Sequence, residues 1–483
     1  LAFAAETGGW RPPNLNGAFN YCELGCGQGV TVNVLAATNP EACFWGVDFN
    51  PAQIANARRM AEAAQLPNAQ FRDWSFAQAL ERVGELPEFD VIALHGVLAW
   101  VSDENIDQVL AFIERTLKPG GLVYASYNSL PGWSQALSFR HMARQAFLKR
   151  GGDPEAARPH ILKLAQRLTE AGAVYFGASP TLGPKIDNLH DQPGAYFAHE
   201  YLNGHWRPFH FTDMAERMGH ARLDYLTSAS LMDSMPEAAS TTAAAAVIAE
   251  EAGGDRLWAE QLRDIANNKA FRRDIYARGV NRLSPIEQFL ALRDQQFALA
   301  VPRAHAGLNF AGPMGEIAGL AEVHAPLLDR LAAGPATLGE LHTLLPGGNI
   351  GTAIQAVALQ VHAKQALPVF EEADPEPARR LNQVLLGAYR VGNNYAVLAA
   401  PAARTGLVVG AADLLAACTV VEGRGDTLGD AAARGYEILS ATGRTLSRDG
   451  RVLIDDEARA YLAEQMAPTF DGRIEVWKNL GIL

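Results

Sequence analysis

The chain has 483 residues, 48% of them hydrophobic and 19% charged, with a formal net charge of -12. That length calls for two or three domains rather than one core, and the acidity argues against a surface devoted to nucleic acid. Four cysteines (Cys22, Cys26, Cys43 and Cys418) form no CxxC pair, so neither a metal knuckle nor a redox motif is expected, and they read as reduced, buried thiols of a cytoplasmic protein.

The start at Leu1 rather than Met points to a missing natural start, and no signal peptide is visible. Residues 18–135 then alternate short apolar runs with amphipathic segments. The strand candidates are "FNYCEL", "CFWGVDF", "AQFRD", "FDVIALHG" and "GLVYASYN". Between them, "NPAQIANARRMAEAAQ" opens a helix with Asn50 as cap and Pro51 in the first turn. "SDENIDQVLAFIERTL" opens another at Ser102 or Asp103 and closes at "KPGG". Such β-α units imply a doubly wound, Rossmann-like α/β domain with its ligand at the carboxyl ends of the strands.

Residues 136–205 read as mainly helical, and "FTDMAERMGHARLDYLTSA" (211–229) as a helix and then a strand that could join the same sheet. The 136–205 segment would then lie over the strand ends. Residues 230–300 read as helical again and include the cation-rich "FRRDIYARGVNRLSP". Residues 320–372 carry three short helices and a small β element, a winged-helix-like rhythm. The expected division is a ligand-binding core at 1–135, a helical middle region at 136–315, and a winged-helix-like α/β C-terminal region at 316–483. The segment "LAAPAARTGLVVGAADLLAACTVV" from 398 is broken by Pro401, Arg404 and Asp413, which makes a poor membrane span.

The first strand runs into "ELGCGQG". Val30 stands where a dinucleotide fingerprint needs its third small residue, and no lysine completes a phosphate loop. What remains is Glu23 followed by Gly25, Gly27 and Gly29. Glu23 would repel a pyrophosphate but accept an ammonium or a sulfonium, and S-adenosyl-L-methionine carries both. Asp48, about twenty-five residues on, closes the second strand, where it can accept from two ribose hydroxyls, with Phe49 beside it for adenine. After the third strand, Asp73 can accept from the adenine amino group and Trp74 can pack on the ring. At the later strand ends stand His95, Trp100, Tyr127, Asn128 and Trp133. Trp100, Tyr127 and Trp133 form a candidate aromatic wall for an alkyl-ammonium. His95 or Tyr127 is a candidate proton relay. Further on, "YFAHEYLNGHW" offers His199, Glu200, Tyr201, His205 and Trp206 as either a substrate lip or the polar start of a helix.

With these residues in place, 18–128 resembles a class I methyltransferase: "ELGCGQG" matches its first motif and "LKPGGLVYASY" its later one. "DFNPAQIANAR", "LHGVLAWVSDEN", "YFAHEYLNGHWRPFHF" and "FRRDIYARGVNRLSP" are similar to the group that carries a methyltransferase regulatory domain. That group includes rickettsial protein lysine methyltransferases that modify outer-membrane proteins. The resemblance implies that Glu23, Gly25, Gly27 and Gly29 meet the methionine half of the cofactor. It places Asp48 and Phe49 at the ribose and adenine, Asp73 and Trp74 at the base, and His95 close to the cofactor.

The loop "HGVLAW" lacks the Asn/Asp-Pro-Pro-aromatic pattern used on planar amines, and no Pro-Cys loop offers a nucleophile for C5-pyrimidine transfer. In 320–372, Arg330 and Lys364 face Glu322, Asp329, Glu340, Glu371 and Glu372, the wrong balance for a phosphate-reading module. Residues 1–135 hold seven Lys/Arg against fourteen Asp/Glu. The expectation is therefore transfer to protein, at lysine, with the outer regions recognising substrate or forming a homodimer. The alternatives are a small-molecule methyltransferase and a cofactor-binding regulatory module without turnover.

Overall fold

The apolar runs become the strands of one seven-stranded sheet in the computed structural model of the protein, which describes residues 1–235, 239–312, 315–370 and 374–483. These strands are β1 (Asn20–Leu24), β2 (Cys43–Val47), β3 (Ala69–Arg72), β4 (Phe89–His95), β5 (Leu117–Asn128), β6 (Asp224–Ser228) and β7 (Phe271–Ala277). Their order is β3-β2-β1-β4-β5-β7-β6. The first five run parallel, and β7 lies antiparallel between β5 and β6.

The helices α1 (Ala2–Thr7), α2 (Val30–Thr38), α3 (Pro51–Ala63), α4 (Phe76–Glu81) and α5 (Asp103–Thr116) include the expected crossovers. The caps are those the sequence names. Asn50 Oδ1 accepts from the Ala52 and Gln53 amides, and Ser102 Oγ from that of Asn105. The sheet is packed on both faces. Phe89, Phe112, Tyr127 and Tyr276 lie on one. Phe44 and Phe71 lie on the other, in a cluster that continues into Leu327, Leu331 and Val357 of the C-terminal half.

The last strand arrives as expected, with a helix at Phe211–His220 followed by β6. The helical reading of 230–300 is corrected at β7, because Phe271–Ala277 is a strand. A buried ion cluster disguised it. The Arg272 guanidinium is 4% exposed and meets Asp264 at 2.5 Å, Glu260 at 2.9 Å and Asp274 at 3.0 Å. Charges that normally mark a solvated face here sit between the sheet and the helix Arg256–Ala266. The sheet thus crosses the division expected at 135.

The 136–205 segment is helical, with Leu137–Arg150 and Arg158–Glu170 followed by shorter turns, and has its own core of Trp133, Phe139, Phe197, Tyr201 and Trp206. Further on, helices Ala321–Ala332, Leu338–Leu341 and Ile350–His362 accompany a three-stranded antiparallel sheet. Gln296–Leu299 is its middle strand, between Ala336–Thr337 and Ala366–Val369, so this sheet crosses the division expected at 315. Glu371 and Glu372 lie outside the described residues. The helix Glu376–Arg390 packs on α2 and α3. Cys43 corrects the reading of four buried thiols, since it is exposed while the other three are buried. No helix among the described residues is long and apolar enough to cross a membrane.

Candidate active site at the strand ends

β1 delivers the chain into a tight elbow before α2. Gly25 and Gly29 hold φ +72° and +68°, a region that penalises side chains. There is no room for one either. A Cβ on Gly25 would lie 2.6 Å from Val97 Cγ2, and one on Gly29 would lie 2.5 Å from Ala57 Cβ. Gly27 shares the positive φ.

Glu23 sits beneath this elbow, 4% exposed. Its Oε2 has no hydrogen-bond partner. Burial pushes the carboxyl up to about 8, against a hydrogen bond from Tyr21 that favours the charged form. A carboxyl held this way has lone pairs and little water, which is the condition under which an incoming cation gains most. Asp48, at the tip of β2, braces the same loop. One of its oxygens accepts from the Gly27 amide at 2.9 Å and the other from the Asn50 amide at 2.9 Å. A carboxylate has about four acceptor sites, so capacity for hydroxyl donors remains. Phe49 beside it is 75% exposed, a free face at the rim.

One expectation at the candidate base-binding end changes, that for Trp74. Trp74 is buried among Leu80, Val83 and Phe89, and the guanidinium groups of Arg72 and Arg82 lie 5.7 and 5.3 Å from its ring. Its ring is therefore committed to the core. Asp73 is half-exposed and pairs with Arg58 at 3.4 Å.

The candidate aromatic wall is also rearranged. Tyr127 leaves the aromatic wall, because it is fully buried and its hydroxyl donates to Asp274 at 2.6 Å in the Arg272 cluster. Inward charges hold it there. His95 ends β4 with its ring 5.9 Å from that of Tyr124. Partial burial, aided by the Arg273 cation, holds His95 below the usual histidine range, which favours the neutral ring.

Asn128, Trp100 and Trp133 converge on Glu200 and Trp206. The Asn128 amide donates to Glu200 Oε2 at 2.9 Å, and the Trp206 indole N–H to the same oxygen at 2.7 Å. Trp100 also favours the charged form of this carboxylate and stacks on His199 at 5.2 Å. Trp133 meets Trp206 edge to face at 4.7 Å. Burial raises the Glu200 carboxyl, while Trp206, Asn128 and Trp100 oppose the shift. Glu200 is delivered by a π-helical turn, Ala198–Leu202, a geometry that re-aims side chains and recurs at functional sites.

Sequence reading left Glu200 and Trp206 as either a substrate lip or the polar start of a helix, and did not foresee that both are buried. It passed over Val97, which closes on Gly25, and Lys185, whose Nζ lies 3.4 Å from the centre of the Trp133 ring. The hydrophobic "VLAW" run carried a signal for Val97, but the surroundings of Lys185 carry none.

The elbow thus fits a ligand with a cationic methionine half. Glu23 has an unpartnered buried oxygen, and the glycines let the backbone turn tightly over it where a side chain would clash with Val97 or Ala57.

A family model described as "Methyltransferase domain" matches residues 15–171, and one described as "Predicted methyltransferase regulatory domain" matches 193–278. The uncharacterized protein sll1526 of Synechocystis is 32% identical over 490 residues, covering 100% of this chain and 95% of its own length. A trans-aconitate 2-methyltransferase of Methylobacterium nodulans is 32% identical over 28% of the chain and 46% of its own length. Among solved structures, PKMT2 from Rickettsia typhi in complex with AdoHcy superposes with a TM-score of 0.64, at 18% identity, over 98% of this chain and 96% of that one. The fold and the matched domains agree with the elbow. The chain belongs, with its Synechocystis relative, to the class I S-adenosylmethionine-dependent methyltransferases that carry a methyltransferase regulatory domain.

Proposed function

We propose that the protein transfers methyl groups to lysine side chains of other proteins. The observation that carries this reading is the roof over the strand ends, where a buried Glu200 carboxylate is framed by Trp100, Trp206 and Asn128 and backed by Trp133. A carboxylate among indoles recognises an ammonium twice, by charge and by the aromatic faces. The resemblance to rickettsial protein lysine methyltransferases points the same way.

S-adenosylmethionine supplies an electrophilic methyl group on a sulfonium. In this reading Glu23 meets the cofactor's ammonium, Asp48 the ribose, and Phe49 the adenine face. A free lysine amine titrates near about 10.4 and must be neutral to attack. Burial among indoles favours the neutral amine, Glu200 and Asn128 orient it, and the roof excludes water. His95 is proposed to lie close to the cofactor and the amine. The C-terminal half is proposed to recognise the substrate or pair two subunits, in the cytoplasm.

A second reading, a small amine or acid as acceptor, is favoured by closure, since Glu200 and Trp206 are each only 5% exposed. Incubation of the full chain with methyl-labelled cofactor and cell lysate separates them. Labelled protein bands that hydrolyse to N-methyl-lysines are expected. Label confined to small molecules supports the second reading, and cofactor binding without any label supports a regulatory module.

A further inference from the structure

The roof already contains an ammonium group, and it belongs to the chain itself. Lys185 lies on the short helix Leu182–Asp187, anchored by buried Leu182 and Leu189. Its Nζ sits over the Trp133 ring, 3.4 Å from the centroid. Glu200 is the carboxylate that acts on it electrostatically. Trp133 in turn packs on Trp206, whose indole N–H holds Glu200. A cation, an aromatic face and a buried carboxylate are thus arranged as they would be around a bound alkylammonium.

Lys185 has no ion pair within 4.0 Å among the described residues. Its ammonium is held by a ring and a longer-range charge rather than by a direct bridge. Such a contact is modest, worth less than a hydrogen-bonded ion pair, and so can be exchanged for another cation.

We propose that the Trp133 face, edged by Trp206 and backed by Glu200, is a binding site for a primary alkylammonium group, and that Lys185 occupies it internally until an incoming lysine side chain displaces it. This inference rests on the reading of the roof as a lysine chamber. It names the subsite and gives it a built-in competitor. Burial within this cluster pushes the Lys185 ammonium down to about 8, although Glu200 pulls the other way. The same surroundings would ease loss of a proton from a substrate lysine.

The test uses the full chain and n-butylammonium as the probe, with binding read by calorimetry. Lys185→Ala and Lys185→Met should bind the probe at least tenfold more tightly than the parent. Met retains an aliphatic stem over Trp133 should Ala disturb the fold. Lys185→Arg, which keeps a cation on the ring, should stay within about twofold of the parent. Equal affinity in all four proteins, or no binding in any, overturns the proposal. Assaying Lys185→Met with labelled cofactor and lysate keeps the two readings apart. Labelled protein together with a flat affinity series removes the internal occupant alone. The expected series without labelled protein removes lysine transfer alone.

Discussion

The two ends of the site each bury a glutamate, and they treat it differently. Under the glycine elbow, Glu23 has an oxygen with no partner. In the roof, Glu200 receives donors from Asn128 and Trp206, with Trp100 and Lys185 nearby. Burial raises both carboxyls. The elbow is built with its polar requirement open, to be met from outside. The roof is built with its requirement met from within, so the ligand proposed to bind there must replace something. A third group of buried acids, around Arg272, shows the limiting case in which full internal satisfaction leaves structure and no site.

This contrast can be tested by removing the acids one at a time. Glu200→Ala should have the largest effect on the folded chain, about 2–4 kcal/mol, because it strands the Asn128 amide and the Trp206 N–H in an apolar core. Hydrogen exchange across 194–206 measures it, and unchanged protection would show that the roof does not depend on that carboxylate.

Asp48→Ala comes next. It frees the Gly27 and Asn50 amides and removes the proposed ribose acceptor, so affinity for S-adenosylmethionine should fall by about 1–3 kcal/mol. Equal affinity by calorimetry would take Asp48 out of the cofactor site.

Glu23→Gln should perturb the empty fold least, because the carboxyl is mostly protonated at neutral pH. The sign follows from its shift, from the usual 4.5 up to about 8. Across that window the folded chain keeps a proton that the unfolded chain has lost, so this group's contribution to stability falls as pH rises. Gln should flatten that slope. Binding of the cationic cofactor at pH 6.5 should also expel close to one proton from the parent and none from Glu23→Gln. Calorimetry in two buffers of different ionisation heat reads the number, and equal proton release in both proteins would contradict the assignment.

Much of the fold was legible because its signals were local. The strands from β1 to β5 are apolar runs punctuated by Gly, Pro and Asn, and Asn50 and Ser102 cap where expected. The strand β7 was hidden because Arg272 and Asp274, which look solvated in sequence, are buried against acids from a neighbouring helix. The same event removed Tyr127 from the candidate wall, since its partner Asp274 is 147 residues away. Trp74 could not be separated from Phe49 by position alone. Both follow an aspartate at a strand end, yet one is buried and the other 75% exposed. Lys185 is an ordinary lysine in "LGPKID", and only the fold shows the ring beneath it.

The place of β7 has a consequence for how the chain is made. β5 finds its second neighbour only in residues 271–277, so a nascent chain that ends before them carries a raw sheet edge beside the finished elbow. The roof emerges from the ribosome during that interval, tethered at one end only. The catalytic half is thus completed late, and cuts made between the roof and Ala277 would yield sticky fragments rather than a smaller enzyme.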